Sequence, residues 1–436
     1  MLSISSARKT LNLVPTILKA GYATAVSKTS NGVKVAAFDE SAPTASVSLV
    51  INAGARFEPK DKAGIAHFVK NFGFKNNGKR SAFRIARETE LIGGVLSSNL
   101  GRETVSFTAE CLKEDVPYFV EVFGDLVNQT KFAEHEFHSV ATEVAAECSL
   151  AESSPEVAVI EAVHSAAFRN GLGNSVYAAP YAEISTEDLR KYASENFVAS
   201  RLALVATGVS ESELKSLADS AFSQVAAGSA SKVEGSKYYG GDVRVASNTP
   251  VGHVAVAFQG AAAGTPEFYT AQVLRSLLGG DRFVKWSTSG VSPLSAAAGK
   301  LGHGAQLSAF NFGYSDAGLF GVYAQAQHKD VTEAAKTAVA SLKAAAKSIS
   351  ADEFKRALAQ AKFESASRFE TRVSSTEILA AQALQGHKVS ASESLAAFDK
   401  VQAADVSKFA AKLLSSKPTT VVLGKTSELP FGDALF

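Results

Sequence analysis

His67, Lys70 and Asn71 lie within AGIAHFVKNFGFKN, a stretch expected to be helical over residues 63–72. On a helix, positions i, i+3 and i+4 share one face, so these three side chains would project together. Two imidazoles at i and i+4, with a glutamate just before the second, would hold a zinc ion and supply the base that activates a zinc-bound water. Only the first imidazole is present here. Lys70 stands where the glutamate would be, and Asn71 where the second imidazole would be. A lysine ammonium has no lone pair to accept a proton, and it repels a nearby dication. The spacing therefore predicts the helix of a zinc hydrolase without its chemistry.

The elements that must present this helix occur twice along the chain. Ala45 to Ala55 (ASVSLVINAGA) alternates as a half-buried strand and ends in a glycine turn, and Gly252 to Ala263 (GHVAVAFQGAAA) repeats the pattern. A helical stretch follows each, Ala63 to Phe72 in one case and Pro266 to Leu278 in the other. Gly93-Gly94 with the strand Thr104 to Cys111 is matched by Gly302 and Gly304 with the strand Gly318 to Gln325. Each half then enters long Ala- and Glu-rich helices, one of which opens on Ser350 with Glu353 three residues on, a capping box. The closing segments, Ile184 to Gly208 and Val401 to Gly424, both run from a capped helix to an apolar strand and a glycine. This repetition predicts an α+β fold of two homologous domains, residues 25–226 and 245–436, joined by a Gly-, Ser- and Lys-rich linker at 227–244. A cleft between the halves is where a substrate or partner segment would go.

At 436 residues the chain exceeds one ordinary core. Its 46% apolar and 20% charged content is that of a soluble globular protein, and a net charge of +1 gives no electrostatic case for nucleic acid or an anionic membrane. No uninterrupted apolar run approaches the length of a membrane span. Cys111 and Cys148 form no Cys-x-x-Cys pattern and are read as buried apolar side chains in a reducing compartment. The first acidic residue is Asp39, while Arg8, Lys9, Lys19, Lys28 and Lys34 precede it. A basic, hydroxyl-rich, acid-free leader predicts a mitochondrial presequence over residues 1–24. The rival reading is a secretory signal cleaved near Ala23-Thr24-Ala25, but Asn12, Pro15, Thr16 and Lys19 interrupt the apolar run it needs. His135 and His138, flanked by Glu134 and Glu136, are read as a solvated helix start and not as metal ligands.

Together these pieces resemble the pitrilysin-type peptidase family, and in particular its non-catalytic members, the core subunits of mitochondrial respiratory complex III (ubiquinol:cytochrome c reductase). The resemblance covers nearly the whole chain after the leader and rests on AGIAHFVKNFGFKN, RSAFRIARETELIGG (Arg80 to Gly94), FRNGLGNSVYAAP (Phe168 to Pro180) and FNFGYSDAGLFGVY (Phe310 to Tyr323). It implies two homologous pitrilysin-type domains. In catalytic members a downstream glutamate is the third zinc ligand, and that position falls on Glu147, one helical turn after Glu143. The resemblance thus implies a degenerate site at His67, Lys70, Asn71 and Glu147, with no catalytic residue and no metal; on charge alone, Glu147 is expected to pair with Lys70. The arginine and tyrosine that catalytic members supply from their second domain are not assigned; Tyr314 and Tyr323 fit a sheet face or its loop. Further implications are a structural subunit and not an enzyme, with no haem, iron-sulfur cluster, quinone or other cofactor. Its partners would be a core subunit 1 homologue and other complex III subunits, which would hold it peripherally on the matrix side of the mitochondrial inner membrane. No nucleic acid and no small-molecule substrate are implied. The alternative is the non-catalytic subunit of the mitochondrial processing peptidase, whose glycine-dense loop would fall at Ser287 to Gly304, where the glycines are scattered.

Overall fold

The computed structural model describes residues 26–38, 42–179, 183–228, 234–279, 292–301, 304–386 and 391–436. The leader, Gly302 and residues 287–291 and 302–303 of the Ser287 to Gly304 stretch lie outside them.

The first half runs β1 (Ser27–Lys28), β2 (Lys34–Phe38), β3 (Thr44–Ile51), α1 (Ile65–Asn71), α2 (Ala82–Leu91), β4 (Val95–Leu100), β5 (Val105–Leu112), α3 (Val116–Gln129), α4 (Glu134–Glu152), α5 (Pro155–Phe168), α6 (Thr186–Asn196), β6 (Leu202–Thr207) and α7 (Glu211–Ala221). The second half continues with β7 (Gly241–Ala246), β8 (Gly252–Gly260), α8 (Pro266–Leu278), α9 (Pro293–Lys300), β9 (Gln306–Gly313), β10 (Gly318–Ala326), α10 (Val331–Lys347), α11 (Ala351–Ser367), α12 (Arg372–Gln385), α13 (Ala391–Phe398), α14 (Ala403–Ser415) and β11 (Thr419–Gly424).

Local chemistry accounts for many of these boundaries. Pro155 and Pro266 sit in first turns, where a missing N–H is no loss. Both bonds of the capping box are formed at Ser350 and Glu353, and a second box forms at Ser185 and Asp188.

The duplication is visible in the sheets. The first has the strand order β1-β2-β6-β3-β5-β4 and the second β7-β11-β8-β10-β9. After the short β1, each strand of the first sheet has a counterpart at the same place in the second. Even the single parallel pairing of each sheet, β2 with β6 and β7 with β11, recurs. The edge strands β4 and β9 were not foreseen, because Val95–Leu100 (VLSSNL) carries two serines and an asparagine. It pairs with β5 along its whole length and remains half-exposed.

One face of each sheet packs on helices of its own half, while the other face receives a helix from the opposite half. Val159, Val163 and Ala167, four residues apart on α5, lie against Ala255, Ala257, Val421 and Leu423 of the second sheet. Reciprocally, Leu379, Ala380 and Ala383 of α12 lie against Phe38, Val50, Ala203 and Val205 of the first. Full burial of one such valine or leucine is worth about 1.5–3 kcal/mol. The halves are therefore interlocked by exchanged helices.

The two exchanges differ in polarity. Under α12, Ser48 Oγ lies 2.7 Å from Thr376 Oγ1 and 2.8 Å from Thr108 Oγ1, a buried hydroxyl cluster. Under α5 the contact is chiefly apolar, with the His164 imidazole and the Tyr314 hydroxyl 2.7 Å apart within it. No helix among the described residues is long and apolar enough to cross a membrane.

Candidate functional site

The degenerate motif lies on α1, which begins as expected within two residues of Ala63. Gly64 caps it at φ +92°, and a Cβ there would lie 2.6 Å from Ala178 Cα, so only glycine fits. That close approach sets the Ala178 backbone against His67. Beneath it, the buried Glu58 carboxylate accepts from Gly64 N (2.9 Å) and Ala66 N (3.0 Å), satisfying amides that a helix start leaves open. Burial nevertheless pushes the Glu58 carboxyl up to about 7.

His67 is buried and its neighbours fix its tautomer. Nδ1 accepts from Ala178 N at 3.3 Å, so the hydrogen resides on Nε2, which donates to Glu147 Oε2 at 2.6 Å. Tyr177 meets the imidazole edge-on, with ring centroids 5.9 Å apart. Burial is the main cause that lowers the imidazole pKa, and the nearby Lys70 charge acts in the same direction, so the ring is neutral at pH 7.

Glu147, reaching across from α4, also takes Lys70. The ammonium lies 2.8 Å from both carboxylate oxygens. Burial opposes ionisation of Glu147, but the hydrogen bonds from Lys70 and His67 outweigh it and hold the carboxyl below its ordinary value. Asn71 does not join the cluster. Its amide folds back to the His67 carbonyl at 3.2 Å, within the helix. Glu143 is engaged elsewhere, with Lys75 at 2.9 Å.

These residues do not fit zinc. The ring nitrogen facing the cluster carries its hydrogen toward Glu147, the glutamate is filled by an ammonium, and Asn71 is turned away. Among the described residues no group of three or more His, Cys, Asp or Glu is placed to hold a metal ion. Cys148 donates to the Ala178 carbonyl at 3.0 Å, and burial raises its thiol pKa, which disfavours a thiolate. Cys111 is buried as well, its thiol pushed up to about 12 by burial. His135 and His138 are exposed at the start of α4.

Neither tyrosine of the second half reaches this cluster. Tyr314 OH is 2.7 Å from His164 Nε2 on α5, and Tyr323 OH is 2.6 Å from His253 Nδ1. Burial pushes the His164 imidazole down to about 3 and the Tyr314 phenol up to about 12, so both are neutral spacers in the exchanged-helix contact.

Sequence reasoning missed a second polar centre, the clasp around Arg56. This guanidinium, 4% exposed, lies 2.7 Å from Glu103 in its own half and 2.6 Å from Asp316 in the other. Asp316 also accepts from Ser236 N at 2.8 Å. No local motif marks Arg56, because its partners are brought to it by the fold.

A family model described as insulinase, peptidase family M16, matches residues 34–179, and one described as the M16 inactive domain matches 183–361. A relative from Cryptococcus neoformans var. grubii, cytochrome b-c1 complex subunit 2, is 37% identical, with 94% of each chain covered. This chain belongs to the M16 peptidase family. Its α+β fold is two M16 domains, the homologous pair that the repeats predicted and the pitrilysin-type pair that the resemblance implied. Cytochrome b-c1 complex subunit 2 of Neurospora crassa is 36% identical over 93% of this chain and 89% of its own. The same M16 fold appears in a chain of complex III2 from Candida albicans solved with Inz-5 bound, with a TM-score of 0.83 at 20% identity, covering 94% of this chain and 98% of that one.

Proposed function

We propose that this chain is a non-catalytic structural core subunit of mitochondrial respiratory complex III, supporting assembly and stability of the electron-transfer complex. The observation that carries the reading is the closed His67, Glu147 and Lys70 cluster, in a chain 37% identical to a relative named as subunit 2 of that complex. It has no active site of its own. Its partners are a core subunit 1 homologue and other complex III subunits, and through them it associates peripherally with the inner membrane. The basic, acid-free leader over residues 1–24 supports placement on the matrix side. Domain limits at 25–226 and 245–436 fit the first half, whose last strand β6 and helix α7 end before 226, whereas β7 opens the second sheet at Gly241, four residues ahead of the second limit and inside the expected linker.

Purification from mitochondria in mild detergent tests this reading. Cytochromes and a homologous core subunit are expected in the same peak. A soluble heterodimer that cleaves presequences would replace it with the processing-peptidase alternative, and zinc-dependent proteolysis by the purified chain would overturn both.

A further inference from the structure

Helices α8, α11, α12 and α13 enclose a recess of 430 Å³ in the second half, within the range of about 300–1,000 Å³ usual for small-molecule sites. Phe268, Tyr269, Phe369 and Phe398 give it apolar walls. Two polar groups in it lack hydrogen-bond partners among the described residues. Gln382 Oε1 is buried without a hydrogen bond, and the Arg368 guanidinium makes no hydrogen bond or ion pair among the described residues. The carboxylate closest in role, Glu364, is committed to Arg275 at 2.6 Å and Gln360 at 3.1 Å. Glu393, on the α13 wall, has contacts of its own. Arg368 is reachable by solvent, yet surrounding protein, and after it the Arg275 charge, lower its pKa. A group at the mouth of a recess has both properties, and a bound anion would relieve the second.

We propose that this recess binds an amphipathic anion, with an apolar body between the aromatic walls and a carboxylate or phosphate on Arg368. A half-turn of the Gln382 amide would add N–H donors to the same headgroup. The site lies behind α12, whose Leu379, Ala380 and Ala383 face the first sheet while Ile378, Ala381 and Gln382 face the recess. An occupant would therefore brace the exchanged helix from behind, linking occupancy to the contact between the halves. This is a ligand site apart from the degenerate motif and independent of any substrate.

The test titrates decanoate, decyl phosphate and decanol into the purified full-length protein by calorimetry. At least one anion is expected to bind one per chain and at least tenfold tighter than decanol, because a charge-assisted bond to guanidinium is lost in the alcohol. The tighter anion identifies the headgroup. Arg368→Gln should erase the tenfold advantage and leave decanol unchanged, while Ala381→Trp, which fills the recess, should remove binding of all three. Because a bulky side chain on α12 risks unfolding that helix, Gln382→Leu is the second variant, expected to weaken the anions alone. Bound anion should also slow amide exchange across residues 372–385. Equal binding of anions and alcohol, full anion affinity in Arg368→Gln, or no binding of any probe would overturn the proposal.

Discussion

Arg56 is the sharpest test of whether the two halves are held by specific charges or only by their exchanged helices. Its guanidinium is 4% exposed, Glu103 is 13% exposed and Asp316 is 32% exposed. Arg56→Ala leaves two carboxylates facing a cavity without their cation. Breaking a buried pair in this way costs about 3–5 kcal/mol. Two observations place the loss at the lower end of that range. Asp316 is reached by water and keeps its bond from Ser236, and Glu103 still accepts from Ser315 N at 3.0 Å across the interface. We expect about 3 kcal/mol for the single variant. In a double-mutant cycle with Asp316→Ala, measured by urea unfolding of the full-length protein, the two losses should fall short of additivity by about 2 kcal/mol. The bidentate contact predicts this coupling, with Nη1 at 2.8 Å from Oδ1 and Nη2 at 2.6 Å from Oδ2. Additivity within about 0.5 kcal/mol would refute the clasp as an energetic unit.

Three further outcomes follow from the degenerate site. Lys70→Ala should raise the Glu147 pKa and cost about 1 kcal/mol, discounted because that carboxylate is 38% exposed; NMR titration showing an unmoved Glu147 would contradict the pairing. Glu58 has a folded pKa raised to about 7, so the folded state holds a proton that the unfolded state has lost, and stability should decline by about 3 kcal/mol as pH rises from 4.5 to 7. Glu58→Gln should flatten that part of the stability curve relative to the parent, and unchanged curvature would show that Glu58 ionises freely in the fold. Finally, Lys70→Glu with Asn71→His recreates the ligand spacing opposite Glu147, and metal analysis should find close to one zinc per chain in the double variant. Stoichiometric zinc in the unaltered protein would show that the lysine does not close the site.

Much of this architecture was legible because it rests on short-range patterns. The helix over Pro266–Leu278 and the capping box at Ser350 are local signals that match elements found, and the alternation in Ala45 to Ala55 marked a strand, but one buried on both faces and not half-buried, because α12 covers its serine side. Pairing of Lys70 with Glu147 was also within reach, since the family resemblance placed that glutamate opposite the helix. The edge strands were less legible. Ser97, Ser98 and Asn99 need no apolar alternation when one face of a strand stays half in solvent. The exchange of α5 and α12 was invisible, because an apolar helix face does not say which sheet covers it. Arg56 was missed for a related reason, as Glu103 and Asp316 come from opposite halves of the chain.

The closed site can be understood as a balance of charge. With His67 neutral, the Glu147 carboxylate is matched by one ammonium, and three hydrogen bonds fill its two oxygens. A dication placed about 4 Å from that ammonium would be repelled by roughly 8 kcal/mol at an effective dielectric of 20, twice the unit-charge value. No such cost arises for the cluster as it stands. The helix that carries it is anchored independently, since Phe68 stacks on Phe137 at 5.5 Å and Phe72 packs on Phe132 at 5.3 Å. Ile65, Ala66 and Val69 complete its buried face. Those contacts are indifferent to whether position 70 is a base or a cation. The chemistry of the motif and the packing of its helix are therefore separable, and in this chain the packing persists while the Lys70 ammonium replaces the chemistry.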